Sequence, residues 1–157
     1  MSRQGEFTVV RDGARLLRWR ARGYIDEVLL AAVHRDGDAL LEGMDGGVSS
    51  ICDLRAMDGF LPGLPIRGIR YTQRHQAKMP RWIMLAESRL VGILVGSVVP
   101  LVAPNVSVVM ATDEAHALRL LQTPLGAEPR PWRTSNVRLV GEDDGSVTRR
   151  SGRSSGR

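Results

Sequence analysis

The stretch Val48–Gly59, "VSSICDLRAMDG", decides how the chain folds. Its apolar centre, Ile51–Cys52, is typical of a buried strand, and charged residues follow directly after it. We predict a strand over Val48–Leu54 that delivers Asp53 to a loop, with Asp58 five residues further along. Because open α/β sheets bind ligands at the carboxyl ends of their strands, this loop is a candidate site.

Hydrophobic periodicity on either side of this stretch predicts strands that alternate with helices. The further predicted strands are Phe7–Val10, Leu16–Ala21, Arg81–Ala86 and Asn105–Ala111, and the predicted helices are Tyr24–His34, Ile66–Met79, Leu90–Leu101 and Asp113–Leu121. Gly23 is expected to end the second strand, and Thr112 to cap the last helix. This order predicts an α/β fold with a small, mixed and mainly parallel sheet. We assign residues 1–123 to this domain, and residues 124–157 to a proline-rich linker and a basic, solvated tail.

Positive charge is concentrated at the carboxyl end of the chain. The sequence has 22 basic and 17 acidic residues, a net charge of +5, and four arginines without an acid lie in 145–157. The rest of the chain is therefore nearly neutral. Since nucleic-acid-binding domains carry a basic patch on their folded body, the charge distribution argues against a nucleic acid as the partner.

Cysteine and histidine are too sparse for the common metal sites. Cys52 is the only cysteine, which excludes an internal disulfide and a cysteine-built zinc site. His34, His75 and His116 show no close ligand spacing, so we predict no metal and no cofactor. A single thiol and a start without an apolar signal-peptide core predict a cytoplasmic protein. The longest apolar run, Leu90–Ala103, has 14 residues, which is shorter than the ~20 of a membrane-spanning helix.

Three segments together resemble a known family. They are "ICDLRAMDG", "RWIMLAES" and "VSVVMATDEAHALRLL", within about Phe7–Gln122. This part of the chain resembles the SpoIIAA-like branch of the STAS superfamily of anti-sigma-factor antagonists, whose shape is related to lipid-binding CRAL-TRIO domains. The resemblance implies helices mainly on one side of a mixed sheet. It also implies a bacterial regulatory protein that works through protein contacts and is not an enzyme.

One departure from this family concerns its switch. Phosphorylated antagonists carry an Asp-Ser-x-Gly motif after the strand that bears the aspartate. The matching stretch here, Met57–Phe60, has Asp58 but no serine, and no hydroxyl follows before Tyr71. We therefore predict no phosphorylatable switch serine at this position.

Two predicted helices carry further candidate binding residues. Arg67, Arg70, Arg74 and Lys78 recur at helical spacing and predict either a surface for an anionic partner or a solvated face. Leu90–Leu101 is apolar on nearly every side, through residues that include Leu90, Val91, Leu94 and Val95. Such a helix is expected to be covered by a protein partner, a second copy, a lipid, or the C-terminal segment with Trp132 and Leu139.

These residues support three hypotheses of different classes. The leading one is a non-enzymatic regulatory or protein-interaction module that binds a protein partner or itself through Asp53, Arg55, Asp58 and the two helices. The alternative is a carrier of a lipid or small hydrophobic ligand held under helix 90–101. A third is an enzyme that uses Asp53 and Asp58 as a carboxylate pair for acid–base work or for Mg²⁺.

Overall fold

The structure is a computed structural model that describes residues 4–125 and 127, apart from the side chains of Leu90, Leu94 and Val95. In chain order its elements are β1 Glu6–Arg11, β2 Leu16–Ile25, α1 Glu27–Glu42, β3 Ser49–Phe60, α2 Leu64–Arg74, β4 Arg81–Leu85, α3 Arg89–Val102, β5 Ser107–Ala111 and α4 Glu114–Gln122. This order confirms the predicted alternation of strands and helices. The predicted linker and tail, with Trp132 and Leu139, lie outside the described residues from 128 onward.

The strands form one sheet in the order β1-β2-β3-β4-β5. β1 is antiparallel to β2, and β2 to β5 run parallel to one another, so the predicted mixed and mainly parallel sheet is confirmed. Register places Trp19 opposite Cys52, Cys52 opposite Met84, and Met84 opposite Met110. Since partners in register share a face, these four residues form one row across the sheet.

Three helices cover one face of the sheet and the fourth covers the other. Leu30 of α1, Tyr71 of α2 and Val99 of α3 belong to one buried cluster. Ala117 and Leu120 of α4 belong to a second, which also contains residues of β3, β4 and β5. The predicted placement of helices mainly on one side is therefore confirmed, and the larger core lies between the sheet and α1, α2 and α3.

Helix α1 begins at Glu27, later than the predicted Tyr24, and continues past His34 to Glu42. The sequence left this end open, with a continuing turn at Leu40 and Leu41. Asp26 caps its first turn by accepting a hydrogen bond of 2.9 Å from the Leu29 amide. Gly37 lies inside the helix and does not end it. A Cβ at this position would lie 2.4 Å from Trp19 Cη2 and 2.6 Å from the Tyr71 hydroxyl, so the glycine allows α1 to approach both rings.

The predicted ends of β2 and β3 are also wrong. β2 passes through Gly23 to Ile25, and β3 passes through the expected loop to Phe60, with two register shifts between them. β4 ends at Leu85, which pairs with Asp53. Beyond Asp53, β3 therefore pairs with β2 alone, and most of the predicted loop is strand.

Helix α2 begins earlier and ends earlier than predicted. Gly63, with φ of 91°, precedes its first residue, Leu64, and the helix ends at Arg74. Counting helical turns from Leu64 places Tyr71 on the same face, and both side chains are buried. Ile66, the first residue of the predicted helix, is 57% exposed. The predicted start was two residues too late and left out Leu64, the first residue of the buried face.

Helix α4 is fixed at both ends by side chains. Asp113, and not the predicted Thr112, is the cap residue, and it accepts a hydrogen bond of 2.7 Å from the His116 amide. Arg81 is buried and donates to the carbonyls of Leu120, Leu121 and Thr123 at 2.7 to 3.2 Å. A guanidinium at the negative end of the helix dipole stabilises this contact between α4 and the sheet.

Candidate functional site

An apolar cavity of about 170 Å³ lies between the sheet and the three helices of the larger core. Its sheet side includes Trp19, Cys52 and Met84, which belong to the row across the sheet. Its helix side includes His34 of α1, residues of α2 such as Gly68 and Tyr71, and Val91 and Val99 of α3. We call this space the apolar cavity.

Aromatic side chains form much of the wall of the apolar cavity. The Trp19 ring meets the Tyr71 ring edge to face, with centroids 5.7 Å apart, and lies 5.4 Å from the Trp82 ring. The His34 ring stacks on Tyr71 at 4.1 Å. The Trp19 indole N–H donates to the Ser50 hydroxyl at 3.1 Å. These contacts fix the rings around the cavity and hold it open.

The titratable groups that line the apolar cavity are uncharged near pH 7. Burial lowers the pKa of His34 to about 4 and raises the pKa of the Cys52 thiol to about 12. Burial also raises the pKa of Tyr71 above its ordinary value. Among the described residues, no carboxylate, ammonium or guanidinium group lines this cavity.

The apolar cavity departs from the close packing of a typical protein core. Departures of this kind concentrate at functional sites.

Asp53 and Arg55 form a pair of their own. The Asp53 carboxylate accepts hydrogen bonds from the Arg55 guanidinium at 2.9 and 2.8 Å and from the Arg55 amide at 3.1 Å. The side-chain hydrogen bond from Arg55 lowers the pKa of Asp53. A general acid or base needs a pKa near the working pH, so this shift runs opposite to what such a role requires.

Asp58 does not join Asp53. The two residues lie in β3 five positions apart, and five residues of strand span roughly 16 Å. The carboxylate pair that the enzyme hypothesis needs is therefore not assembled, because β3 continues where a loop was expected. Among residues 4–125 and 127, no group of three or more His, Cys, Asp or Glu side chains is placed to hold a metal ion.

The four predicted cations do not share one helix face. Lys78 follows the end of α2, and its ammonium donates to the Leu41 carbonyl near the end of α1. Arg67 forms an ion pair with Glu27 of α1 at 3.1 Å. Arg70 and Arg74 are exposed and have no ion-pair partner among the described residues. The free positive charge of α2 is therefore limited to these two arginines.

Helix α3 has a buried side and an exposed apolar side. Val91 and Val99 are buried and line the apolar cavity. Ile93 and Leu101 are 52% and 82% exposed. The predicted site residues Leu90, Leu94 and Val95 lie on α3, and their side chains are outside the description. Over the described residues, no helix combines the length and the apolar character needed to cross a bilayer.

Reasoning from sequence placed a hydrophobic ligand under helix 90–101 and so found Val91, but it missed most of the cavity wall. The alternation of Leu17, Trp19 and Ala21 with arginines indicates that Trp19 faces the core. Tyr71 would have been found by starting α2 at Leu64, immediately after Gly63. His34 was assigned to the polar side of α1, and nothing in its local sequence signals that it stacks on a tyrosine of another helix.

Comparison with known proteins identifies the class of fold. No protein-family model and no curated protein sequence matches the chain. An uncharacterised protein of the DUF3478 family with a SpoIIAA-like fold, from Shewanella loihica PV-4, matches with a TM-score of 0.58 and 15% identity over 74% of this chain and 93% of that chain. An anti-sigma factor antagonist from Mycobacterium paratuberculosis matches with a TM-score of 0.51 and 16% identity, over 76% and 96% of the two chains.

A third structure, SpoIIAA in its unphosphorylated form, gives a weaker likeness, with a TM-score of 0.49 and 16% identity over 74% of this chain and 97% of that chain. The first two likenesses show that this chain has a SpoIIAA-like fold. The resemblance predicted from "ICDLRAMDG" and the two later segments is confirmed at the level of the fold.

Proposed function

We propose that this protein is a non-enzymatic regulatory module that binds a protein partner through the side of the molecule formed by α2 and α3. One of the structures that share its fold is an anti-sigma factor antagonist, a regulatory protein. The observation that carries the proposal is the exposed apolar side of α3, which presents Ile93 and Leu101 to solvent.

Partner binding would remove these side chains from water. Burying a side chain of this size fully is worth about 1.5–3 kcal/mol. Two such residues on one helix supply the apolar centre of an interface, and Val91 and Val99 hold the helix to the sheet from its other side. This arrangement favours a partner with an apolar groove or helix face.

The charge on α2 favours an acidic rim on that partner. Arg70 and Arg74 are exposed, and α2 packs directly against α3. Charges at the rim of an interface raise the association rate and select the partner more than they raise affinity. A second copy of this chain would bring the same two arginines to the interface, so the proposal favours a different protein over a homodimer.

The proposed module works without a phosphorylated serine. Asp58 and Gly59 lie within β3, and Gly59 and Phe60 pair with Tyr24 and Ile25 of β2. A strand in register with its neighbour offers no helix start at which a phosphate would be held. The proposal therefore includes regulation that does not use phosphorylation of a serine at this position. A cytoplasmic location stays a prediction.

The proposal predicts that charge on the exposed side of α3 removes partner binding. The full chain would be used to capture its partner from an extract of the source cell, and the dissociation constant would then be measured with the purified partner. We expect Ile93→Asp and Leu101→Asp each to raise the dissociation constant at least about tenfold, which corresponds to ~1.4 kcal/mol of binding free energy. Sedimentation of the chain alone at micromolar concentrations measures whether it forms a homodimer. This distinguishes a second copy of the chain from a different protein as the partner.

A matched control is available on α4. Leu118 is 41% exposed, so Leu118→Asp places the same charge on an exposed apolar site on the other face of the sheet. This variant is expected to bind as the wild type does. Equal binding by all three variants, with folds intact by thermal unfolding, would contradict the proposal.

The second candidate function is a carrier of a hydrophobic ligand. The observation that favours it is the apolar cavity beneath Val91 and Val99. A ligand was predicted from the sequence at this position, under helix 90–101. A carrier and a regulatory module are compatible, because the same helix α3 would border both the ligand and the partner.

A further inference from the structure

The size of the apolar cavity limits what it can hold. Its volume is about 170 Å³. An apolar cavity of about 150 Å³ is large enough for benzene, whereas pockets for drug-sized ligands span about 300–1,000 Å³. A single ring fits within this volume, whereas most of a long acyl chain would have to lie outside it.

The wall of the apolar cavity excludes charged ligands. A charge taken out of water needs an opposite charge or several hydrogen bonds, and burial without them is strongly unfavourable. The titratable side chains that line the cavity are His34, Cys52 and Tyr71, and all three are held neutral by burial. No described residue of the wall would therefore compensate a ligand's charge.

The cavity is formed before any ligand binds. Trp19 is held by Ser50 and by the Tyr71 and Trp82 rings, and His34 is held by its stack on Tyr71. Walls that are already ordered lose little conformational freedom when a ligand binds. Flat aromatic surfaces of this kind also suit a planar ring, which packs against them edge to face or offset.

We infer that the apolar cavity binds an uncharged, mainly apolar molecule of about the size of one aromatic ring, and not a lipid. The inference rests on the second candidate function and narrows it to a ligand class. It is independent of the exposed side of α3, which binds the proposed protein partner.

The test compares neutral, charged and long-chain probes on the full chain. Benzene and indole are the neutral ring probes, benzoate and benzylammonium are charged rings, and dodecanol is the uncharged long chain. A ligand present at about ten times its dissociation constant is expected to raise the melting temperature by about 5 °C. We expect this rise with benzene or indole at millimolar concentration, and no rise with the other three probes.

Two filling variants locate the binding in the cavity. Cys52→Met adds volume from the sheet side and Val91→Phe adds it from α3, and either is expected to abolish the shift caused by the ring probes. Using both keeps the test decisive if one fails to fold. The control is Val109→Met, which adds similar volume in the cluster under α4 and is expected to keep the shift.

Three results would overturn the inference, and each has a different consequence for the carrier function. A shift with dodecanol and none with the ring probes would refute the ligand class while leaving a carrier in place. No shift with any probe, together with a native mass spectrum free of bound ligand, would refute the class and the carrier together. An unchanged shift in both filling variants would show that the rings bind elsewhere. In each case the Ile93→Asp assay still judges the protein-binding function by itself.

Discussion

Two residues, Asp53 and His34, have surroundings in the folded protein that differ from those that the sequence suggests. Asp53 follows an apolar strand and has a second aspartate nearby in sequence, which is a pattern found in catalytic sites. In the structure its carboxylate is bound by Arg55 through both guanidinium and backbone hydrogen bonds, and its pKa is lowered. His34 was assigned to the polar side of α1, yet it stacks on Tyr71 and borders the apolar cavity.

His34 leads to a prediction about pH. Its pKa is about 4 in the folded protein, against 6.5 in an unfolded chain, because burial disfavours the charged ring. Between these values the unfolded state binds more protons, so the free energy of unfolding must fall as pH is lowered from 6.5 to 4. Urea unfolding at a series of pH values measures this slope, and His34→Gln is expected to reduce it.

The slope should not depend on histidine in general. His116 lies on α4, where its ring accepts a hydrogen bond from the Thr112 amide, so His116→Gln is the control and is expected to retain the slope. Asp38, Arg74 and His75 also act on His34 through space, and the variant leaves all three in place. An identical slope in wild type and His34→Gln would show that His34 is not buried as described.

At the scale of elements, periodicity predicted which helices and strands exist, but not which way the helices face. The order of all nine elements followed from alternating patterns of residues. The buried face of α2 was missed because the predicted helix left out Leu64, which follows the left-handed Gly63. The ends of β2 and β3 were wrong because their pairing beyond Asp53 stabilises strand where glycine suggests a break. A ligand space under α3 was predicted as an alternative, but most of its wall could not be, since the wall arises only when three helices pack on one sheet.

Two glycines inside helices lead to opposite predictions. At Gly68 of α2 an added Cβ meets nothing within 4 Å, so Gly68→Ala is expected to raise the free energy of unfolding by about 0.5–1 kcal/mol. At Gly37 of α1 the added Cβ would meet the Trp19 and Tyr71 rings, so Gly37→Ala is expected to lower it by about 1–3 kcal/mol. Chemical denaturation measures both, and the same sign for the two variants would contradict the described packing of α1.

At the scale of the whole molecule, the two faces of the sheet have different roles. Helix α4 closes one face, and Arg81 fixes the helix to the sheet through three carbonyls. The other face carries three helices, the apolar cavity and the exposed apolar side of α3. Every feature that we propose for binding therefore lies on one side of the sheet, and the α4 side is predicted to take no part.

Hydrogen–deuterium exchange of the full chain, alone and with the protein that it captures, tests this division most directly. The account predicts that the partner slows exchange in 64–74 and 89–102 and leaves 114–122 unchanged. Slower exchange confined to 114–122, with none in α2 or α3, would contradict it.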